Sequence, residues 1–436
     1  MKAFLEPLQE LQGFQEMADT LEKERGVITV SGCTDAQKPH MIYAMDNGLK
    51  NKIIVTFHEQ RAKELYEDYS FFDPDAVYYP AKDVLFYQSD IRGNLLTAER
   101  INALKAIHEK KQVTLITTFD ALMNTMAPPQ NMWDSVLTIH SGDILDLKKI
   151  TAQLVRMGYE KEYQVETMGQ FALRGGILDI FPLTEENPVR IEMWGDEVDT
   201  LRSFDTESQR SIELMEELTV YPACELVLTE EQKNAGIDKI RKEAQKAAEQ
   251  LRKDMKTEEA YRTTAMVDEL AEEWGELSMC TGMDAFLSYF CGDRNGLLDY
   301  FDKNDTIVFF DEMSRSVERG RQTETEFSES MKQRLEKGYI LPGQMKELFG
   351  IKEILGTLER YPCLALNALD MKTNGLKNIG QYTIHGKNVN PYNNSFDLLV
   401  KDLKQYRKNG YKTILLSGSR TRAKRLAEDL SNEELS

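Results

Sequence analysis

The sequence predicts an α/β protein of several domains, in which an α+β module interrupts a domain built on a parallel sheet. Three observations predict this class. Apolar strands alternate with helices over residues 1–125, and after Pro128 this rhythm gives way to short strands separated by Gly and Asn-Pro turns. The 436 residues also exceed what one compact core accommodates. Alternation of this length is typical of a doubly wound parallel sheet.

The elements of the first part follow from apolar runs and helical periodicity. Residues 1–26 are predicted to form one amphipathic helix. Strands are expected at 26–31, 52–57, 76–79 and 113–118, with helices from about residue 39 and over 59–69 and 97–110. The tyrosines in the third strand, Tyr78 and Tyr79, are interpreted as packing residues, with base stacking as the alternative.

The remaining elements define the domain boundaries. Strands are expected at 171–176, 177–182, 189–194, 197–204 and 306–310, with a broken long helix over 229–277 and a helix over 316–337. A strand at 411–417 and a helix at 419–430 end the sequence, and such a pair cannot bury its own faces, so a longer polypeptide is expected. We predict a divided domain of residues 1–125 and 212–345, an inserted module 126–211, a linker 346–385 and a small α/β domain 386–436.

Composition narrows the class of protein. A hydrophobic content of 41% and a formal charge of −19 fit a globular protein and disfavour a general DNA-binding surface. No apolar stretch has membrane-spanning length, the N-terminus is too acidic for a secretory leader, and five scattered cysteines form no CxxC pair. We therefore expect a cytoplasmic protein without a disulfide framework or metal site.

Basic charge is concentrated at the C-terminal end. Residues 376–436 carry 11 Lys and Arg against 6 Asp and Glu. A solvated amphipathic helix is the favoured interpretation, and a salt-sensitive DNA contact is the alternative. The basic residues concerned are Lys401, Lys404, Arg407, Lys408 and Arg420.

Residues 32–39, Gly-Cys-Thr-Asp-Ala-Gln-Lys-Pro, stand where a phosphate-binding loop belongs, between a buried strand and a helix. Gly32 and Lys38 have the spacing of that loop, but Gln37 replaces its second glycine and Pro39 replaces its Ser/Thr. Gln37 adds a side chain where the loop must curl, and Pro39 lacks both the magnesium-binding hydroxyl and a backbone donor. An inactive site is therefore expected, with weak non-hydrolytic nucleotide binding and retained activity as alternatives.

Asp311 and Glu312 follow a fully apolar strand. In a phosphate-binding fold, acids at this place hold magnesium and orient water. The alternative is a helix N-cap for the segment from Ser314 onward.

Residues 172–182, ALRGGILDIFP, and 189–198, VRIEMWGDEV, strongly resemble the UvrA-binding domain of UvrB and, more closely, that of the transcription-repair coupling factor (Mfd) family. Flanking segments agree, including the altered loop at 32–39, TAERI at 97–101, DEM at 311–313 and GYILP at 338–342. The broken loop and the lack of room for UvrB's aromatic hairpin between Val77 and Asp90 favour the coupling-factor family.

The resemblance implies a RecA-like (P-loop NTPase-type) domain that has lost its site, with an inserted UvrA-docking module. It implies that this segment is not an enzyme and has no cofactor, whereas ATP and Mg serve a downstream DNA translocase. The whole protein would displace RNA polymerase stalled at DNA lesions and recruit UvrA for nucleotide excision repair. RNA polymerase and double-stranded DNA would be bound by domains outside this chain. The alternative is a UvrB-like, ATP-dependent damage-loading subunit.

The resemblance also assigns the docking residues. Arg174, Arg190 and Glu192 match charged positions that UvrB-type domains use against UvrA, and Phe181 is their apolar neighbour. Period two places Arg190, Glu192 and Trp194 on one face of a strand. The alternative is a cross-strand ion pair on a solvated sheet.

Ala172 departs from UvrB, which has an arginine at this position, so the contact is expected to be weaker here or to shift to neighbouring residues. Changing Arg174 to Ala and Arg190 to Glu is expected to abolish UvrA binding while the fold stays intact.

Overall fold

The computed structural model describes residues 2–11, 13–45, 48–82, 93–276, 282–371, 375–389, 391–415 and 417–435. Two compact units are present. The larger unit is Met17–Ile384, and the smaller combines Met1–Glu16 with His385–Ser436. Within the described ranges, no helix combines the length and the apolar character that crossing a membrane requires.

The strands and helices are numbered in chain order. The strands are β1 (Gly26–Ser31), β2 (Asn51–Thr56), β3 (Val77–Tyr79), β4 (Thr114–Thr118), β5 (Leu137–His140), β6 (Glu160–Lys161), β7 (Gln170–Arg174), β8 (Ile177–Ile180), β9 (Val189–Trp194), β10 (Glu197–Phe204), β11 (Ser211–Met215), β12 (Glu217–Val220), β13 (Thr306–Asp311), β14 (Pro362–Asn367) and β15 (Asn378–Thr383). The helices are α1 (Lys2–Gln9), α2 (Phe14–Lys23), α3 (Gln37–Ala44), α4 (Glu59–Ser70), α5 (Gly93–Glu109), α6 (Phe119–Met123), α7 (Pro129–Trp133), α8 (Leu147–Arg156), α9 (Glu230–Lys253), α10 (Thr257–Glu276), α11 (Leu287–Phe290), α12 (Met313–Glu336), α13 (Ile351–Leu358), α14 (Phe396–Lys408) and α15 (Arg420–Asn432).

The larger unit is built on a seven-stranded sheet in the order β15-β1-β14-β13-β2-β4-β3, in which every neighbouring pair is parallel. Strands β1, β4, β13 and β14 are buried along their whole length. Such strands are covered on both faces, and this explains why their sequences read as continuous apolar runs without alternation. The predicted RecA-like α/β class is therefore confirmed.

The inserted module is a second sheet in the order β11-β10-β9-β8-β7-β6. Its pairs are antiparallel except for β6 with β7. Strands β5 and β12 pair beside it. The module has its own apolar core, in which Ile139, Leu154, Ile191 and Leu201 are buried together. Because β11 and β12 belong to this fold, the predicted boundary at residue 211 falls too early.

Three predictions of local structure differ from the observed fold. Residues 346–385 are not a linker, because they supply α13 and the sheet strands β14 and β15. The single N-terminal helix is two helices, α1 and α2. Residues 411–415 are exposed and form no strand, so the expected strand at 411–417 is absent from the part of it that is described.

The helical part of the larger unit follows the prediction of a broken helix. Helices α9 and α10 pack against each other and are separated by residues 254–256. Thr229 begins α9 with a capping box, in which its hydroxyl accepts from the Gln232 amide and the Gln232 side chain accepts from the Thr229 amide. The two tyrosines of β3 are packing residues, as the sequence favoured. Tyr79 is wholly buried, and the Tyr78 hydroxyl donates to Glu59.

The smaller unit packs α14 and α15 around Val400, Leu403 and Leu430. Two of its predicted basic residues contact the chain's own acidic end, because Lys404 pairs with Glu433 and Arg407 donates to the Glu434 carbonyl. A DNA contact by this unit stays an untested alternative.

Candidate functional site

Lys38 is the central residue of a cluster at the start of α3, where a phosphate-binding loop would follow β1. Its ammonium is 2.5 Å from Asp311 Oδ1, 2.7 Å from Glu312 Oε1 and 3.1 Å from Asp35 Oδ1. The Lys38 and Asp311 side chains are buried, and Glu312 is nearly so. The structure thus places Lys38, Asp311 and Glu312, which the sequence analysis assigned to one site, in contact with one another.

Two further residues complete this cluster and were not predicted. Arg61, on α4, donates from Nε to Asp311 Oδ2 at 2.8 Å, and Thr56, at the end of β2, donates to the same oxygen at 3.0 Å. Burial disfavours the charged forms of Lys38 and Asp311. Their mutual attraction outweighs it, so the pKa of Lys38 is raised and that of Asp311 is lowered.

Four backbone amides of the loop already have acceptors within the protein. The Cys33 amide donates to the Asn367 carbonyl, and the Thr34 amide donates to the side-chain oxygen of Gln37 at 3.0 Å. The amides of Gln37 and Lys38 both donate to the Thr34 carbonyl. A phosphate loop needs such donors directed at its ligand. Gln37 therefore acts as an internal acceptor where a phosphate oxygen would otherwise be bound.

The start of the loop is held against the edge strand β15. Gly32 has φ of +81°, and a Cβ added to it would lie 1.8 Å from the Ile384 carbonyl oxygen. The Ile384 amide donates to the Ser31 carbonyl at 2.8 Å. Glycine is required here by both the left-handed conformation and the close backbone approach. Pro39 is buried in the first turn of α3, so it contributes packing and offers no hydroxyl.

Asp311 and Glu312 do not act as the alternative reading proposed. Glu312 occupies the N-cap position of α12, but its side chain makes no capping hydrogen bond. Its Oε1 instead accepts from the Ala368 amide at 2.8 Å and from Lys38. The carboxylates of Asp35, Asp311 and Glu312 are close enough together to hold a cation, and the Lys38 ammonium contacts all three.

The predicted docking residues lie on the face of the module sheet that is turned away from its core. Asp179, on β8, is fully buried and accepts from Arg190 Nε at 2.8 Å and from Arg174 Nη2 at 2.7 Å. Arg190 also lies 4.4 Å over the Phe204 ring and donates to Gln209. Arg174 is about one-third exposed, whereas only 16% of the Arg190 side chain is accessible.

The remaining docking candidates differ in accessibility. Glu192 accepts from Arg202 and Thr200, both at 3.0 Å, and 36% of its side chain is exposed. Arg190, Glu192 and Trp194 share one face of β9 as predicted, and the Trp194 side chain is the most exposed of the three. Phe181, in contrast, is buried against Val165, Ala172 and Met168.

The sequence assignment therefore needs two changes of emphasis. Phe181 packs within the module rather than presenting its ring to solvent, and the cluster around it also covers Ala172. Trp194 is a docking candidate that the sequence assignment lacks, although a tryptophan at the end of a half-buried strand is a signal for an interface.

Known proteins resemble both the inserted module and nearly the whole chain. Residues 137–226 match the family model of the UvrB interaction domain, and these bounds enclose β5 to β12. The chain is 25% identical to the transcription-repair-coupling factor of Bacillus subtilis over 98% of its own length and 36% of that protein. It is 28% identical to the Staphylococcus haemolyticus transcription-repair-coupling factor, over 96% of this chain and 35% of the relative.

A second group of relatives carries a different name. The chain is 24% identical to the UvrABC system protein B of Thermosipho africanus over 96% of its own length and 68% of that protein. The chain spans about a third of the length of the two coupling factors. Residues 137–226 thus match the UvrB interaction domain, within a chain that is similar over nearly all its length to about a third of a transcription-repair-coupling factor.

Proposed function

We propose that this chain recruits UvrA to sites of nucleotide excision repair, as the UvrA-docking part of a transcription-repair coupling factor. The full-length protein would act on RNA polymerase stalled at DNA lesions through an ATP-driven DNA translocase outside residues 1–436. One observation carries the docking proposal. The matched UvrB interaction domain presents Arg174, Glu192 and Trp194 on the sheet face opposite its own core. Arginine and tryptophan are the residues most enriched among energetic anchors of protein interfaces.

The nucleotide fold serves this function as a scaffold. ATP with Mg²⁺ fits the residues at 32–39 poorly, because four loop amides have internal acceptors and the Lys38 ammonium is held by carboxylates. A triphosphate would have to break these buried ion pairs and approach Asp35 as well. No step is therefore assigned to this site.

Arg174 is the residue with which to test docking. Its guanidinium forms an ion pair with Asp179, and replacing it leaves Asp179 with the two hydrogen bonds from Arg190. We expect Arg174→Ala to weaken UvrA binding at least tenfold in calorimetry while the thermal midpoint changes little. Lys149→Ala, on the same module but with an 85% exposed side chain, is the matched control and should bind normally. Unchanged affinity for Arg174→Ala would reject the proposed docking face.

Arg190 cannot serve the same test, contrary to the expectation that Arg190→Glu leaves the fold intact. The new carboxylate would lie beside the buried carboxylate of Asp179 and would remove the cation that stacks on Phe204. Like charges at this separation in a buried site destabilise the fold. Loss of UvrA binding by Arg190→Glu would therefore not distinguish docking from unfolding.

The alternative is a UvrB-like, ATP-dependent damage-loading subunit. It is supported by the similarity to the Thermosipho africanus UvrABC system protein B over 96% of this chain. Calorimetry with MgATP separates the two proposals. Micromolar binding or turnover would favour the UvrB-like function, whereas the docking proposal expects neither.

A further inference from the structure

We infer that the docking surface extends beyond the arginines onto the edge strand β11, where Leu214 forms an apolar contact with the partner. This inference rests on the proposed UvrA docking and names a second chemical component of the same interface. The partner surface that fits it carries carboxylates opposite Arg174 and Arg202, flanked by apolar side chains.

The strand register places Leu214 on the docking face. Leu214 is paired with Arg202, Arg202 with Arg190, and Arg190 with Asp179. Directly opposed residues in antiparallel strands have side chains on the same side of the sheet. The neighbouring row confirms this orientation, because it consists of core-facing residues: Met215, Leu201, Ile191, Leu178 and Leu173.

Exposure distinguishes this part of the face from a packed sheet. Leu214 is 75% exposed and Trp194 is 82% exposed. Ile212, on the same edge strand, is also exposed. Trp194 follows Glu192 along β9, and Leu214 of β11 is paired with Arg202 of β10. Apolar side chains therefore flank the ion pair between Glu192 and Arg202.

This arrangement identifies the chemistry of the occupant. On this face Arg174, Arg190 and Arg202 are accompanied by two acids, Asp179 and Glu192, so cationic groups exceed acidic ones although the chain as a whole has a charge of −19. A partner carboxylate would gain from these arginines, and closing water out around it requires apolar neighbours on both sides. Leu214 and Trp194 are placed to supply them. Leu214 and Trp194 therefore lie within the matched interaction domain and extend its docking face rather than forming a separate site.

The test measures UvrA binding to the whole chain by calorimetry. Leu214→Ser should raise Kd about tenfold, the change expected when one buried leucine contact is lost. Leu214→Met should bind within about twofold of the wild type, because it retains an apolar side chain of similar volume. Met255→Ser is the control for removing an exposed apolar residue, since Met255 lies 91% exposed outside the module.

Salt separates the apolar contact from the ionic one. Raising NaCl from about 0.1 to 0.5 M should weaken binding by wild type and Leu214→Ser alike and leave their Kd ratio unchanged, because an apolar contact is not screened. Circular dichroism should show the same fold for all variants.

The outcomes are distinguishable. If Arg174→Ala weakens binding but Leu214→Ser and wild type bind equally, the extension onto β11 is overturned and the docking proposal stands. If the wild type itself does not bind UvrA, both proposals are overturned.

Discussion

Lys38 is a lysine whose side chain is wholly inaccessible and whose ammonium contacts Asp35, Asp311 and Glu312. Burial penalises its charged form, yet the Asp311 charge raises its pKa, so the pair is ionised together. The folded pKa is raised for the lysine and lowered for the aspartate. Their ionic contribution to stability is therefore present at neutral pH, and it declines as the pH rises through the Lys38 pKa or falls through the Asp311 pKa.

Replacing Lys38 by methionine tests this internal role. Lys38→Met keeps much of the side-chain volume but leaves buried carboxylates uncompensated, so we expect a loss of about 3–5 kcal/mol in the free energy of unfolding. Urea unfolding followed by circular dichroism measures the change. Lys50→Met is the control, because Lys50 also pairs with an aspartate but does so at the surface, and its stability should be near that of wild type. Equal stability of Lys38→Met and wild type would contradict the role.

Prediction of this cluster from the sequence was possible for residues with a motif position. Lys38 follows from the loop spacing, and Asp311 and Glu312 follow from the end of a buried strand. Arg61 and Thr56 have no such signal, because an arginine early in a helix and a threonine at a strand end are common. The parallel pairing of β2 with β13 brings them to Asp311. Which strands are neighbours depends on the order of strands in the sheet, and no local sequence pattern gives that order.

Elements of the inserted module are anchored to the parent domain by a buried ion pair. Glu225 follows β12 and accepts two hydrogen bonds from Arg100 of α5, at 2.7 and 2.8 Å. Lys82 pairs with the same carboxylate, and the Arg100 guanidinium lies 4.2 Å over the Tyr79 ring. Burial would raise the pKa of Glu225, but Arg100 and Lys82 outweigh it and lower the pKa to about 2.

This anchor predicts an acid-sensitive contribution to stability. Because the folded pKa lies below the ordinary value of 4.5, the contribution is full above pH 4.5 and is lost as the pH falls towards about 2. Glu225→Gln should be less stable than wild type by roughly 3 kcal/mol at neutral pH, and the difference should shrink between these pH values. Glu185→Gln changes a half-exposed pair with Lys105 and should stay close to wild type at neutral pH. A pH-independent difference for Glu225→Gln would contradict this account.

The sequence predicted elements well where side chains alternate or turns are marked. Strands β9 and β10 were predicted with the observed bounds, because Gly195 and Asp196 separate two alternating runs. The segment with β14 and β15 was mistaken for a linker for two physical reasons. Strand β14 is a short run buried on both faces, so it has no period, and the edge strand β15 contains Asn, Gly, Gln and Thr. Both strands are held in the sheet by parallel pairing with β1, which no local sequence pattern indicates.

The whole molecule consists of two compact units, and the chain passes between them at Glu16–Met17 and again at Ile384–His385. The observed sheet makes residues up to Thr383 part of the larger unit, whereas a linker over 346–385 would leave Lys352, Arg360 and Lys377 in accessible chain. Lys387 lies just beyond the boundary, is exposed and belongs to no helix or strand. Accessible irregular chain is the preferred site of proteolysis.

Limited trypsin digestion therefore distinguishes the two organisations. We expect early cleavage after Lys387, because it lies in exposed, irregular chain. Lys377 should resist cleavage, because it directly precedes β15 and its carbonyl accepts a hydrogen bond from the Val27 amide at 2.9 Å. Fragment masses determined by mass spectrometry identify the cut, and Lys387→Gln should slow it without changing the fold. Early cleavage after Lys352, Arg360 or Lys377 in the wild type would instead support a linker over residues 346–385. A chain segment paired into a parallel sheet has to leave the sheet before a protease can bind it.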